Sequence, residues 1–323
     1  MFKKIENLVN SKYLSGEAFF ITETSVGIET HTTLLEKQTE KELTLNFANR
    51  LKNTVIKPNA GKSHIPLVSN LLERDRQVFE YDHKAIGHMP EEFKELSKVL
   101  NYGVNGSPPI FDFNTQKLNK IKAFLYHLSD GAGNSIVLYQ HKYPISLHKK
   151  SRRSFFSING RTLTKVPYDS IDINDTIDFF YFENKHYALN IALLERFYGL
   201  EKVIDNLAAS ATPMILALSI LDMSGTSSPN DIFKDMHKDR AFMRRLAMVS
   251  KGDIVKKGIS ITQIQQVISQ FPILGRNIKI DKNLVQLKNK DHKRYFIRLL
   301  NNEASFAALN NAPFLAVEKD PAS

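Results

Sequence analysis

The sequence predicts an α+β fold, an N-terminal mixed lobe followed by a hairpin-and-helix domain. Three observations predict it. Alternating apolar residues flank short turn motifs between residues 121 and 190, as antiparallel hairpins require. Capped helical patterns dominate residues 191–302. The regular strand–helix–strand alternation of a parallel sheet is missing.

Residues 1–108 read as the mixed α/β lobe. "EAFFITE" (17–23) is a strand and "QVFEYD" (77–82) a short one. Leu43, Phe47 and Leu51 recur four apart, which predicts a helix over 39–53. "MPEEFKELSKVL" is a second helix, with Pro90 in its first turn and acids near its start. The turn-rich "NYGVNGSPP" (101–109) places a boundary near 108. A second domain then spans 109–318, with a disordered tail at 319–323.

The second domain opens with a hairpin. "IKAFLYHL" puts Phe124, Tyr126 and Leu128 on one side, "SDGAGN" turns, and "SIVLYQHKYPI" returns. A basic turn, "HKKSRRSFFSINGRTL", runs into another short strand. "DTIDFFYFENKHYALNI" is a further hairpin, turning at Asn184–Lys185 and leading into a helix near 193–210. Ser228 and Pro229 mark the start of the next helix. "RAFMRRLAMVSKG" closes at Gly252, and Ser260 with Gln263 fits a capping box for "SITQIQQVISQF". "NIKIDKNLVQLKN" reads as a hairpin, and "DHKRYFIRLLNN" as a last helix capped by Asp291.

Composition excludes several chemistries. The chain has no cysteine, so disulfides, thiolate zinc sites, iron–sulfur clusters and a cysteine nucleophile are out. A cysteine-free chain suits a reducing cytoplasm, which is the expected location. "MFKKIENLVN" lacks the apolar run of a signal peptide. The longest uncharged apolar stretch, Leu207–Leu221, has 15 residues and carries Pro213. A span needs about 20, so it reads as a buried helix.

The net charge of +10 has an address. Residues 231–300 hold 16 Lys and Arg against 6 acids, and the rest of the chain is neutral. Such localisation argues for a polyanionic partner. On a helix, Arg240, Arg244 and Lys251 share a face opposite Phe242, Leu246 and Val249, with Arg245 between. The cationic side is expected to face out. Lys238 and Lys234 precede it, and Lys256 and Lys257 follow. A second patch is Lys149, Lys150, Arg152 and Arg153, followed by Phe155 and Phe156. Both suit phosphate contact with DNA. An ordinary solvated helix face explains the first stripe as well. The helix at 260–271 with the hairpin after it resembles a winged helix in order. Gln263, Gln266 and Gln270 would then face the bases, though that helix carries no charge.

Enzyme motifs are weaker. Asp169, Asp172, Asp175 and Asp178 recur every three residues ahead of Glu183 and Lys185, an E-x-K. A metal nuclease would use Asp169 or Asp178 with Glu183 on Mg²⁺ and Lys185 on the attacking hydroxide. Here the E-x-K falls in a turn, which is the better account of it. "GKS" at 61–63 has Ile56 where a phosphate loop needs glycine, and Pro66 interrupts the helix that should follow. No G-x-S-x-G exists, and His83 and His88 lack the spacing of a helical zinc pair. No motif calls for a cofactor.

"IDFFYFENKHYALNIALLERFYG", "RRLAMVSKGDIVKKGISITQIQQVISQF" and "IKIDKNLVQLKNKDHKRYFIRLLNNE", in that order, resemble the KwaB family domain of the bacterial Kiwa anti-phage system. The resemblance covers roughly 110–302, and the stretch from Glu303 onward departs from the family's ending. It implies DNA binding that interferes with phage DNA functions, and self-association as a dimer or tetramer. It also implies work with a small membrane partner, KwaA, that recruits the protein to the inner membrane. It transfers no catalytic residue. Among the positions matching the shared pattern, Arg244, Arg245, Lys251, Lys256 and Lys257 have the chemistry for DNA contact. A metal nuclease and a non-catalytic scaffold with a basic docking face are the alternatives.

Overall fold

The computed structural model describes residues 1–62, 64–70, 78–100, 102, 106–116, 118–143, 147–148, 156–159, 162–165, 170–224, 228–306 and 313–315. In chain order the first elements are α1 (Phe2–Val9), β1 (Ser15–Thr24), β2 (Gly27–Thr33), α2 (Lys37–Leu51), β3 (Phe79–Glu80), α3 (His83–Ile86) and α4 (Glu91–Val99). Strands follow: β4 (Ile121–Ser129), β5 (Ser135–His141), β6 (Leu147–His148), β7 (Phe156–Asn159), β8 (Thr162–Lys165), β9 (Ser170–Ile171), β10 (Phe179–Phe182) and β11 (Lys185–Ala188). The helical run comprises α5 (Ile191–Phe197), α6 (Leu200–Ala217), α7 (Arg240–Lys251), α8 (Asp253–Lys257), α9 (Ile261–Gln270) and α10 (Pro272–Asn277). A hairpin of β12 (Lys279–Asp281) and β13 (Leu284–Gln286) comes next, then α11 (Lys290–Leu300), β14 (Ala304–Phe306) and β15 (Pro313–Leu315). The class is α+β, as the sequence predicts.

The chain forms two compact units, Met1–Ile65 with Arg76–His83 and Met89–Ile191, and Pro66–Asp75 with Lys84–His88 and Ala192–Ser323. The expected boundary near 108 therefore falls inside the first unit. The reason is a long-range strand pairing: β1 hydrogen-bonds β4 from Ser15↔Ser129 to Thr22↔Ile121. Turn residues announced a loop there, not the end of a domain.

The first unit is a seven-stranded antiparallel sheet, ordered β2-β1-β4-β5-β10-β11-β3. One face packs Ile5 and Leu8 of α1 and Phe47 and Leu51 of α2 against Phe20, Phe124, Tyr126 and Phe180. The other packs Phe93 of α4 onto Phe179 and His186, with ring centroids 5.2 and 4.9 Å apart. Both faces are thus covered, so β10 is buried at all four residues. Phe124, Tyr126 and Leu128 do share one side, and Ala123 and Leu125 are buried on the other. Tyr126 donates to Glu40 O at 3.0 Å and bonds Thr44 Oγ1 at 2.8 Å. A Cβ on Gly16 would stand 2.3 Å from that hydroxyl, so only glycine fits beside it. The β10–β11 turn is centred on Glu183–Asn184, one residue earlier than expected, because Phe182 pairs with Lys185. Both turn residues take positive φ, 47° and 61°, the geometry that matches strand twist.

The second unit is mostly helical. α6 and α11 both pack on α7. α6 ends at Ala217, short of the expected Leu221. After Ser219 at φ 53° the chain extends and bonds β13, Val285 N to Ile220 O at 2.8 Å and Asp222 N to Val285 O at 3.0 Å. The helix expected after Ser228 is instead two single turns of 3-10 helix, Pro229–Asp231 and Lys234–Met236, and the Ser228 side chain caps neither. α9 has the expected capping box of Ser260 and Gln263. α11 is capped by Asn289, whose Oδ1 accepts from His292 N at 2.8 Å, rather than by Asp291.

Candidate nucleic-acid interface

The basic helix does not present its arginines as expected. Asp239 caps α7, accepting from Phe242 N at 3.1 Å, and also receives Arg294 Nη2 at 2.8 Å. Burial pushes the Asp239 carboxyl up, but the Arg294 guanidinium and the helix N–H groups outweigh it and hold it below its ordinary range. From that start, Phe242, Met243, Arg244, Arg245, Leu246 and Val249 are all buried. Arg244 is 6% exposed, and its Nη1 donates to Glu195 Oε1 at 2.7 Å. Arg245 Nε lies 3.4 Å from Glu303 Oε1, while Arg298 Nε bonds the other oxygen at 2.8 Å. Glu303 is fully buried. Arg240 Nη1 pairs with Asp205 at 2.7 Å and Glu201 at 3.4 Å.

This corrects the outward cationic face. Helix periodicity shows which residues share a side, but not which acids meet them. Glu195, Glu201, Asp205 and Glu303 come from outside 231–300 and neutralise α7 in place. Burying guanidinium groups without such partners would be prohibitive. In the cleft beside α7 and α11, lined by Arg245, Arg294, Arg298, Asp239, Asp291 and Tyr295, Arg294 pairs with Asp239 and Asp291, and Arg298 with Glu303.

The lysines differ. Lys251 Nζ donates to Ala85 O at 2.9 Å. Lys256 is exposed and donates to Lys251 O at 3.0 Å. Lys257 meets Asp253 at 3.1 Å, a solvated pair. Lys238 is exposed with no ion pair among the described residues. The second expected patch, Lys149, Lys150, Arg152 and Arg153, lies outside the described residues.

Of the 16 cations in 231–300, eight stand in ion pairs. Seven others are exposed without one among the described residues: Lys238, Lys256, Arg276, Lys279, Lys282, Lys288 and Lys290. Five of these seven surround the β12–β13 hairpin, accompanied by one acid, Asp281. Sequence reasoning passed over them in favour of the denser α7 stripe. The available signal was this five-to-one ratio on a segment with turn residues at its centre. The hairpin tip, Lys282–Asn283, takes φ 48° and 60°. The Lys279–Asp281 strand pairs with Leu284–Gln286, with half-buried Ile280 opposite buried Val285.

Among the described residues, Asp178 and Glu183 of the nuclease alternative are not brought together. Asp178 is buried and accepts from His141 N at 2.9 Å and Asn190 Nδ2 at 2.8 Å, tying strand ends together. Burial raises its pKa. Glu183 lies beyond the far end of β10, about 16 Å along the strand. It pairs with Lys4, and Lys185 pairs with Glu80 at 2.9 Å. Asp169 lies outside the described residues. Among the described residues no group of three His, Asp or Glu is placed to hold a metal ion.

A buried lysine sits near Asp178. Lys142 Nζ donates to Asp172 O at 2.5 Å and to the Gln140 side chain. Burial pulls its pKa down to about 8. It fastens the 172–176 loop to the sheet, where Gln140 Nε2 also donates to Thr176 O at 3.0 Å.

Among known proteins, the family model described as Kiwa protein KwaB-like matches residues 118–310, more than half the chain. No curated protein and no solved structure matches.

Proposed function

The chain belongs to the Kiwa protein KwaB-like family, and so to Kiwa anti-phage defence, and from that premise we propose that it binds DNA through backbone phosphates, without strong sequence choice and without a chemical step of its own, and thereby interferes with phage DNA functions. One observation carries the reading. Seven cations of the helical unit are exposed without an ion-pair partner among the described residues, and five of them crowd residues 276–290. Unneutralised ammonium and guanidinium groups displace condensed counterions from a phosphate backbone, which is the main source of sequence-independent affinity. Lys238, Lys256 and the hairpin lysines are the contacts; the α7 arginines hold the unit together.

The same reading has the protein self-associate and work with a KwaA-type membrane partner. Among the described residues no helix is long and apolar enough to cross a membrane. The same reading gives the membrane contact to that partner.

The test is fluorescence anisotropy of a labelled random duplex, titrated at about 50 and about 200 mM salt with Mg²⁺ present, followed by a denaturing gel of the same samples. Tight, steeply salt-dependent binding with intact strands is expected. Cut strands would replace the reading with a nuclease, and binding to anionic vesicles but not to DNA would replace it with a docking scaffold.

A further inference from the structure

Between the cations of α8 and those of the hairpin lies a helix with none. Among the ten residues of α9, Ile264 is fully buried and Thr262, Gln263, Gln265, Gln266, Ser269 and Gln270 are exposed. At 100° per residue, Thr262, Gln265, Gln266 and Ser269 fall within about 100° of arc. Gln263 is not part of the reading face, since its Oε1 accepts from Ser260 N at 2.8 Å in the capping box. The face carries no acid that would repel phosphate.

In the sequence, cations precede and follow this helix. Exposed Lys256 and Lys257 lie just before the Ser260 cap. At the other end, α10 folds back closely on α9: a Cβ on Gly275 would stand 3.2 Å from Ile268 Cγ2. Arg276 is the next residue and is exposed, and Lys279 Nζ reaches back to Gly275 O at 3.4 Å. The hairpin with Lys282 at its tip follows directly.

We propose that α9 seats in the major groove of duplex DNA while the β12–β13 hairpin and Lys256 grip the backbone on either side. The proposal rests on the DNA-binding reading above and adds the form of the partner, a duplex, and the groove it is read from. A helix about 10–12 Å across fits a groove about 12 Å wide. An uncharged face gains little at the phosphates themselves, so its place is between them. Each glutamine amide has two donors and an acceptor. It finds a partner on the major-groove edge of every base pair, which suits entry to the groove without strong sequence choice.

The experiment compares anisotropy titrations of the full chain with three probes of one sequence: the plain duplex, the duplex with every cytosine carrying a glucosylated 5-hydroxymethyl group, and the plain duplex saturated with netropsin. The sugar fills the major groove and leaves the phosphates free; netropsin fills the minor groove. The glucosylated duplex is expected to bind about tenfold more weakly, and netropsin to change little. Gln265→Ala with Gln266→Ala should bind the plain duplex several-fold more weakly than the parent with the salt slope retained, and parent-like binding by this variant overturns the role given to the α9 face. Alanine is the stronger helix former, so this variant keeps α9 folded. Equal binding of the plain and glucosylated probes by the parent, with salt dependence intact, overturns the groove assignment and leaves phosphate binding standing. Competition by netropsin alone also overturns it. Absence of binding to all three probes removes the DNA reading itself, and the groove with it.

Discussion

Two segments of the helical unit, α7 with its flank and the β12–β13 hairpin with its flanks, have similar cation density and opposite electrostatics. From Arg240 to Lys257 there are six Lys and Arg and one acid; from Arg276 to Lys290 there are five and one. In the first, every arginine is matched by a carboxylate brought from elsewhere in the chain. In the second, no cation has an ion pair among the described residues. The difference teaches that charge counted along a sequence is not charge presented to solvent. Helix α7 is packed between α6 and α11, so its cations had to be compensated in the interior. The lysines in and beside the hairpin are exposed, and solvated ammonium groups need no carboxylate partner.

Substitutions can break this comparison. The largest effect belongs to Arg244→Ala, which takes the guanidinium away from the buried Glu195. It should lower the unfolding free energy by about 3–5 kcal/mol, measured by urea denaturation, with the salt slope of DNA binding unchanged in whatever fraction stays folded. A well-folded variant with weakened DNA binding would place Arg244 back among the contacts. Next comes pH, which offers an internal control from the sheet unit. Burial pulls the His186 pKa down to about 4, against a hydrogen bond to Phe93 O at 2.8 Å that opposes it. The unfolded chain takes up that proton near pH 6.5 and the folded chain does not. Stability is therefore complete above about 6.5 and falls as pH drops toward 4, by about 3 kcal/mol from this residue. His186→Phe should flatten that part of the curve; an unaltered slope would move the acid sensitivity elsewhere.

The hairpin effects are smaller in stability and larger in binding. Lys279→Ala with Lys282→Ala should leave the urea midpoint nearly unmoved and reduce the magnitude of the salt slope by about 1.8, near 0.9 for each phosphate no longer neutralised. An unchanged slope would exclude the hairpin from the interface. Smallest is Lys282→Asn. Lysine at φ 48° is strained where asparagine is at ease. The substitution should add about 0.5 kcal/mol of stability while removing one cation from the phosphate backbone, so thermal stability and affinity move in opposite directions.

Much of the secondary structure was legible. The Ser260–Gln263 box, the alternation in β4 and the Asp-Gly-rich turn before β5 are local signals with local causes, and each is found where the pattern put it. Register at the β10–β11 turn slipped by one residue, since Glu183 in a left-handed conformation is not something composition advertises. Asn289 rather than Asp291 caps α11 because both residue types suit the position and only backbone geometry chooses. The role of Arg244 and Arg245 was not legible at all. Their partners lie 49 and 58 positions away, beyond the reach of any helical period.

By itself, the sequence determined the class, the helices and hairpins, the lack of thiol chemistry, the kinship to a family and the fact that positive charge collects near the C-terminal end. These follow from residue type and short-range spacing, which act within one turn of helix or one strand pair. Tertiary structure alone decided where the first compact unit ends, which acids meet the α7 arginines, and hence which cations remain to face a partner. Those outcomes depend on elements distant in sequence closing against one another, and the desolvation cost of an unpaired charge makes that closure selective about what it buries.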